Sequence, residues 1–263
     1  FHVTAPKSEE VVQLRPELTN DKEKFQLAIQ EISYDHIPQQ YMVQPSSTRA
    51  VALNLKTGVE RVAYINGAGD NVAESIEAVG VIVEKFDSED ITLEKLKSFD
   101  AVILGIRAFN VHESLSYKKN VLWTYAHQGG NLLIQYNTSR GLKTRTITPY
   151  SIELSRDRIT DENSKVKMLD IKHPLLNYPN KISLEDFEGW VQERGLYFPK
   201  QWDKNFSPLF EMSDPGEQPK RGALLVANYG EGKVVYTGLS FFRQLPAGVP
   251  GAYRLFFNLI ANK

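Results

Sequence analysis

The sequence predicts an α/β protein built on a parallel sheet, and three observations carry that reading. Short apolar runs recur between Arg61 and Tyr136: Val62-Ala63-Tyr64-Ile65, Val81-Ile82-Val83, Ala101-Val102-Ile103-Leu104-Gly105-Ile106 and 131–136. Continuous apolar runs, unlike alternating ones, belong to strands covered on both faces, as parallel strands are. Between them lie segments of helical period: Val72, Ile76 and Val79 closed by Gly80, a short one through Leu93 and Leu96, and residues 114–128 through Leu115, Val121, Leu122 and Tyr125, ended by Gly129-Gly130. Each strand then switches abruptly to polar residues, which is where α/β sheets place ligands and nucleophiles.

The flanks lose this rhythm. Residues 1–24 are polar, carry Pro6 and Pro16, and read as a lead-in. Phe25 to Ile29, with Ile32 and Tyr34 after a phase shift, reads as a bulged strand; residues 39–44 read as a second strand, and Val51, Leu53 and Leu55 alternate up to the Thr57-Gly58 turn. Residues 1–58 are therefore expected to be a linker and β-rich appendage, and residues 59–263 the α/β domain. An insertion at about 141–222 interrupts that domain. Regularity returns in a hairpin signal, Ala223–Ala227 and Lys233–Leu239 across Tyr229-Gly230-Glu231-Gly232, and in a last helix over 252–261.

Composition excludes several function classes. The 263 residues include 31 Lys plus Arg and 32 Asp plus Glu, a formal net charge of −1, so no global field draws the chain to nucleic acid or an anionic membrane. No apolar run approaches the roughly 20 residues of a membrane helix. The N-terminus shows no signal-peptide pattern, and its first residue, Phe1, implies a piece of a longer chain. The absence of Cys removes disulfides, thiolate catalysis and Cys-ligated metal. The five His residues show no metal-ligand spacing, and neither a metal nor a cofactor is expected.

Loops after parallel strands converge at one sheet edge. Here they would gather Asn66, Asp70, Arg107, Asn110, His112, Glu113, Tyr136, Asn137, Arg140 and Arg243, with Ser240, into a polar candidate binding cleft. Arginine forks suit carboxylate or phosphate, and Asn and Asp suit hydroxyls; the same groups also cap helices and tie loops. His112 and Glu113 are adjacent, so on a helix they do not face each other. Asn66-Gly67-Ala68-Gly69-Asp70 lacks the third glycine of a phosphate-binding turn, and is expected to be a strand-to-helix turn with Asp70 as N-cap. Ser155-Arg156-Asp157-Arg158 with Asp161-Glu162 reads as a self-neutralising salt-bridge network. Phe187 to Tyr197 combines aromatics with carboxylates, as sugar sites and anchored lids both do. Glu185, Asp186 and Glu188 could include a glycosidase pair.

The order of elements, the Gly129-Gly130 turn and the Tyr229–Thr237 hairpin resemble class I glutamine-amidotransferase-like domains, nearest the ThuA-like branch. Longer strings resemble the C-terminal domain of bacterial PIG-L/LmbE-type de-N-acetylase proteins: 66–70, Leu104–Glu113, Gln135-Tyr136-Asn137-Thr138, 155–158, Phe187–Gly195 and Gly238–Gly248. The resemblance covers about residues 25–263. It implies a flavodoxin-like fold, an extracytoplasmic location, a deacetylase domain N-terminal to this chain as partner, and a carbohydrate ligand. Two departures follow. The His-Pro-Asp-Asp-type zinc motif of the deacetylase is missing, since His173-Pro174 runs into Leu175-Leu176. The amidotransferase Cys is missing too, since the elbow carries Tyr136-Asn137. The expected function is thus a non-catalytic accessory domain that binds carbohydrate or packs on a catalytic domain. The alternatives are a hydrolase or lyase on a sugar derivative, using Asp70, His112, Glu113 and Arg107, and an oligomerisation module using the 240–253 loop.

Overall fold

The computed structural model describes Thr4, Pro6 and residues 8–261, which fall into two compact units divided between Asn54 and Leu55. The first unit is all β. Strand β1 (Glu10–Leu14) pairs antiparallel with β6 (Thr48–Ala52), β2 (Leu18–Thr19) with β3 (Lys24–Phe25), and β4 (Leu27–Tyr34) with β5 (Ile37–Pro45). The polar stretch expected as a lead-in thus contains strands; the register runs unbroken from Leu27 to Ile32, across the phase change in the sequence, and shifts only between Ile32 and Tyr34, next to the turn. No described residue of this unit is buried.

The second unit is organised by a seven-stranded sheet. Its parallel part comprises β7 (Arg61–Ile65), β8 (Ile82–Phe86), β9 (Ala101–Leu104), β10 (Asn131–Ile134) and β17 (Gly232–Thr237). Their spatial order is β8-β7-β9-β10-β17, the flavodoxin-like order, with every neighbouring pair parallel. Two antiparallel strands extend it: β16 (Leu224–Tyr229), the other arm of the hairpin, and β14 (Ser207–Pro208). The crossovers carry α1 (Val72–Glu77), α2 (Leu93–Leu96), and α3 (Ala108–Val111) with α4 (Leu115–His127). After β17 come α5 (Phe241–Gln244) and α6 (Pro250–Ile260), and nine of the eleven α6 residues are buried. Strands β9 and β10 are buried at every position, as continuous apolar runs require. Gly130 is needed for packing: a Cβ there would fall 2.3 Å from the Tyr125 ring.

The insertion is ordered. Strand β11 (Ile152–Ile159) pairs antiparallel with β13 (Gly195–Trp202), and β12 (Val166–Met168) with β15 (Phe210–Met212). Residues 155–158 of the charged run expected as a salt-bridge network lie on β11, and Asp161 and Glu162 follow it. The Arg158 guanidinium lies 6.0 Å from the Tyr197 ring centre, and the charges of Asp161 and Glu162 act on Arg194.

Arg194 seats the insertion. Its guanidinium donates to the Ser164 carbonyl through Nε at 3.2 Å and Nη2 at 3.0 Å, and to the Phe187 carbonyl through Nη1. It also lies 5.7 and 5.6 Å from the ring centres of Phe187 and Trp190, both buried. The aromatic stretch is therefore an anchor. Asp186, one of the three carboxylates that could include a glycosidase pair, is also structural: it meets Arg254 Nε at 2.6 Å and accepts the Ser183 N–H at 2.7 Å.

Candidate functional site

Three elements bring residues to the carboxyl edge of the parallel strands. Arg107 follows β9, Tyr136 follows β10, and Arg243 sits on α5 after β17. The Arg107 N–H donates to the Tyr136 carbonyl at 2.7 Å, which holds the first two loops together. Tyr136 is buried. Tyr197 of the insertion stacks on it at 6.1 Å with 7° between ring planes, and Phe242 leans on it at 5.3 Å. Burial pushes the Tyr136 phenol above its ordinary range, and the charges of Arg107 and Arg243 pull it part of the way back. Arg243 pairs with Glu193 through Nε at 3.0 Å and donates to the Gln192 side chain through Nη1.

The backbone marks the same place. Among the described residues, three that are not glycine have φ in the left-handed region: Arg107 at 56°, Gln192 at 65° and Tyr197 at 55°. Each belongs to this cluster. Such residues cost about 1–3 kcal/mol apiece and persist where surrounding structure over-determines them, often at sites. The strained elbow is therefore at Arg107, one strand away from the Tyr136-Asn137 elbow expected from the sequence. Arg107 also leaves its buried Nε without a hydrogen-bond partner among the described residues.

Other expected cleft residues have structural work. Asn137 is fully buried; its side-chain oxygen accepts the Phe109 N–H at 3.0 Å, its amide donates to the Gln135 carbonyl at 3.0 Å, and its own N–H donates to the Tyr236 hydroxyl at 3.2 Å. Asn110 accepts the Thr138 N–H at 2.9 Å and donates to the carbonyls of Thr138 and Arg140, so Arg140 contributes its backbone while its side chain is exposed. Ser240 is buried and donates to the Glu193 carbonyl at 2.6 Å. Asp70 accepts from the Tyr64 hydroxyl at 2.6 Å, the Val72 N–H at 3.0 Å and the Ile106 N–H at 3.2 Å; it ties the first turn of α1 to the loop after β9. Asn66 opens the same turn, with its N–H on the Phe86 carbonyl. Gly67 is there for close approach, since a Cβ would fall 2.1 Å from the Ile106 oxygen.

His112 and Glu113 line a different groove, of about 390 Å³, with Asp87, Ser88, Glu89 and Asp90 of the loop after β8. Glu113 is exposed, with Lys143 Nζ at 3.8 Å. The expected single cleft is thus divided: Arg107, Tyr136 and Arg243 group together, and His112 and Glu113 lie in the other groove. Sequence reasoning left Gln192 out of the site, and no sequence signal marks its left-handed backbone. Glu193 and Tyr197 carried a signal, the aromatic-acidic stretch, without an address. Among the described residues, no group of three or more His, Asp or Glu is arranged to hold a metal ion.

No family model matches the chain, and no curated protein does. Solved structures do. A GMP synthase component from Thermoplasma acidophilum matches with TM-score 0.50 and 10% identity over 77% of this chain and 92% of that one. A cytoplasmic protein of Salmonella typhimurium matches with TM-score 0.48 and 11% identity over 95% of both chains. A β-galactosidase of Rahnella sp. R3 matches with TM-score 0.46 and 16% identity over 78% of this chain and 31% of that one. Together with the strand order, the first of these defines the class: the second unit has the flavodoxin-like, class I glutamine-amidotransferase-like fold. At these identities the likeness extends to the fold alone.

Proposed function

We propose that the chain is a non-catalytic accessory domain of a PIG-L/LmbE-type de-N-acetylase protein, and that it binds carbohydrate at the carboxyl edge of its sheet through Arg107, Tyr197 and Arg243. One observation carries this reading. The position after β10, where this fold presents its nucleophile, is filled by Asn137, buried and hydrogen-bonded to α3 and β17, and by Tyr136, packed against two rings. Hydrolysis by the amidotransferase route has no nucleophile there. The arginines and part-exposed aromatic faces next to it remain suited to binding hydroxyls, ring faces and acidic groups.

The test is a thermal-shift screen of the chain against amino sugars, neutral glycans and sugar acids, with turnover followed in parallel. The expected result is a ligand-dependent shift that Arg107→Ala removes, with no turnover. Reproducible turnover abolished by Arg107→Ala overturns the non-catalytic reading. A flat screen overturns carbohydrate binding and leaves packing on the catalytic domain, which is tested by adding that domain in trans.

A further inference from the structure

The opposite, amino-terminal edge of the sheet holds a cleft that the proposed function does not use. Its volume is about 560 Å³, within the range of small-molecule sites. Gly129 and Gly130 before β10, Gly232 and Lys233 at the start of β17, Asn228 near the end of β16, and the His173–Tyr178 segment line it. Pro174, Leu175 and Val226 give it an apolar wall, Lys233 and His173 are part-buried, and Glu231 is exposed at its rim.

Lys233 is the reason to expect an occupant. Its ammonium donates to the Ala261 carbonyl at 2.7 Å, and no carboxylate of the described residues pairs with it. A desolvated cation held by one neutral oxygen is an incomplete arrangement, because burying a charge is costly until an opposite charge or several acceptors compensate it. Burial alone brings its amine down to about 8. His173 accepts the Leu175 N–H through Nδ1, so in the neutral ring Nε2 carries the proton and remains a donor. Burial also lowers its pKa.

We infer that this cleft binds a small organic carboxylate, its anionic head on Lys233 Nζ and its apolar body against Pro174, Leu175 and Val226. Binding should need the protonated amine. Affinity should therefore fall as pH rises through about 8 and beyond, where Lys233 loses its proton. Three other titratable groups face the cleft: His173, Glu231 and Tyr178. His173, with its lowered pKa, is neutral before that window opens, so the fall reports Lys233.

The experiment is calorimetric titration of the full chain with butyrate, with butyramide as the neutral control of the same shape and acetate as the control lacking most of the apolar body. The expected result is saturable butyrate binding, at least about tenfold tighter than butyramide, since a charge-assisted hydrogen bond is worth about that factor. Lys233→Met should remove the preference for butyrate, and Glu231→Gln should keep or strengthen it. Equal affinity for butyrate and butyramide overturns the inference, as does pH-independent butyrate binding by the unsubstituted chain, which needs no variant to fold. No saturable binding of any of the three probes overturns it as well. Arg107→Ala should leave butyrate binding unchanged, so this outcome and the carbohydrate screen fail independently.

Discussion

Arg194, which seats the insertion, and Lys233, at the amino end of the sheet, are both cations withdrawn from water, yet the chain treats them differently. Arg194 delivers three N–H bonds to two carbonyls and lies against two aromatic faces. Lys233 delivers one bond to one carbonyl. Desolvation lowers both groups, Arg194 to about 10 and Lys233 to about 8. The planar, five-donor fork lets the buried Arg194 guanidinium be compensated by backbone oxygens, with the charges of Asp161 and Glu162 adding support, whereas the compact Lys233 ammonium has one carbonyl. A saturated buried cation is a structural part. An under-saturated one beside a cleft is a place for a ligand.

Two substitutions test that contrast. Arg194→Ala should have the largest effect. It strips the Ser164 and Phe187 carbonyls of their donors and uncovers Phe187 and Trp190, and should cost about 3 kcal/mol in urea unfolding. A loss below about 1 kcal/mol would mean that water replaces the guanidinium freely, and the contrast would fail. Lys233→Met should do the reverse and stabilise the fold. The folded-state pKa of Lys233 lies below the ordinary 10.5, so between about 8 and 10.5 the unfolded chain binds more protons and stability rises with pH. The penalty is present in full below about 8 and gone above 10.5. It amounts to about 3 kcal/mol, offset by roughly 1 kcal/mol for the lost bond to Ala261, which leaves a gain of about 2 kcal/mol at neutral pH. Denaturant midpoints at pH 7 and pH 10.5 should show the gain at the first and its disappearance at the second.

The frame of the second unit was legible because burial on both faces writes itself as apolar runs: β7, β9 and β10 appear in the sequence within a residue or two of their structural bounds. The first unit was less legible. Strand β1 reads as a polar lead-in because its residues pack on no core, so composition carries no trace of the pairing with β6. The site was legible in part for a different reason. Convergence of loops follows from topology, which placed Arg107, Tyr136 and Arg243 together. Which polar residues face outward depends on hydrogen bonds between loops far apart in sequence: Asn110 and Asn137 are consumed by Thr138 and Phe109, and nothing in their own neighbourhoods says so. Left-handed backbone at Arg107, Gln192 and Tyr197 is imposed by tertiary context against local preference, so it lies outside what any local pattern encodes.

Arg107 offers the smallest effect and the sharpest separation of roles. Its backbone occupies a region that costs a non-glycine residue about 1 kcal/mol, and its side chain reaches the Tyr136 cluster with Nε unpartnered. Arg107→Gly should therefore raise stability slightly, by up to about 1 kcal/mol after the entropy cost of glycine, while removing carbohydrate binding. Arg107→Ala keeps the backbone strain and loses the same guanidinium, so it should bind as poorly as the glycine variant and be the less stable of the two. Thermal unfolding of both variants, with and without ligand, separates the terms. If the alanine variant is as stable as the glycine variant, the left-handed conformation costs nothing here and the strain at this edge is no mark of function. If both variants retain ligand, the guanidinium is only a strut between the loops after β9 and β10, and the binding surface has to be sought at Arg243 and Tyr197.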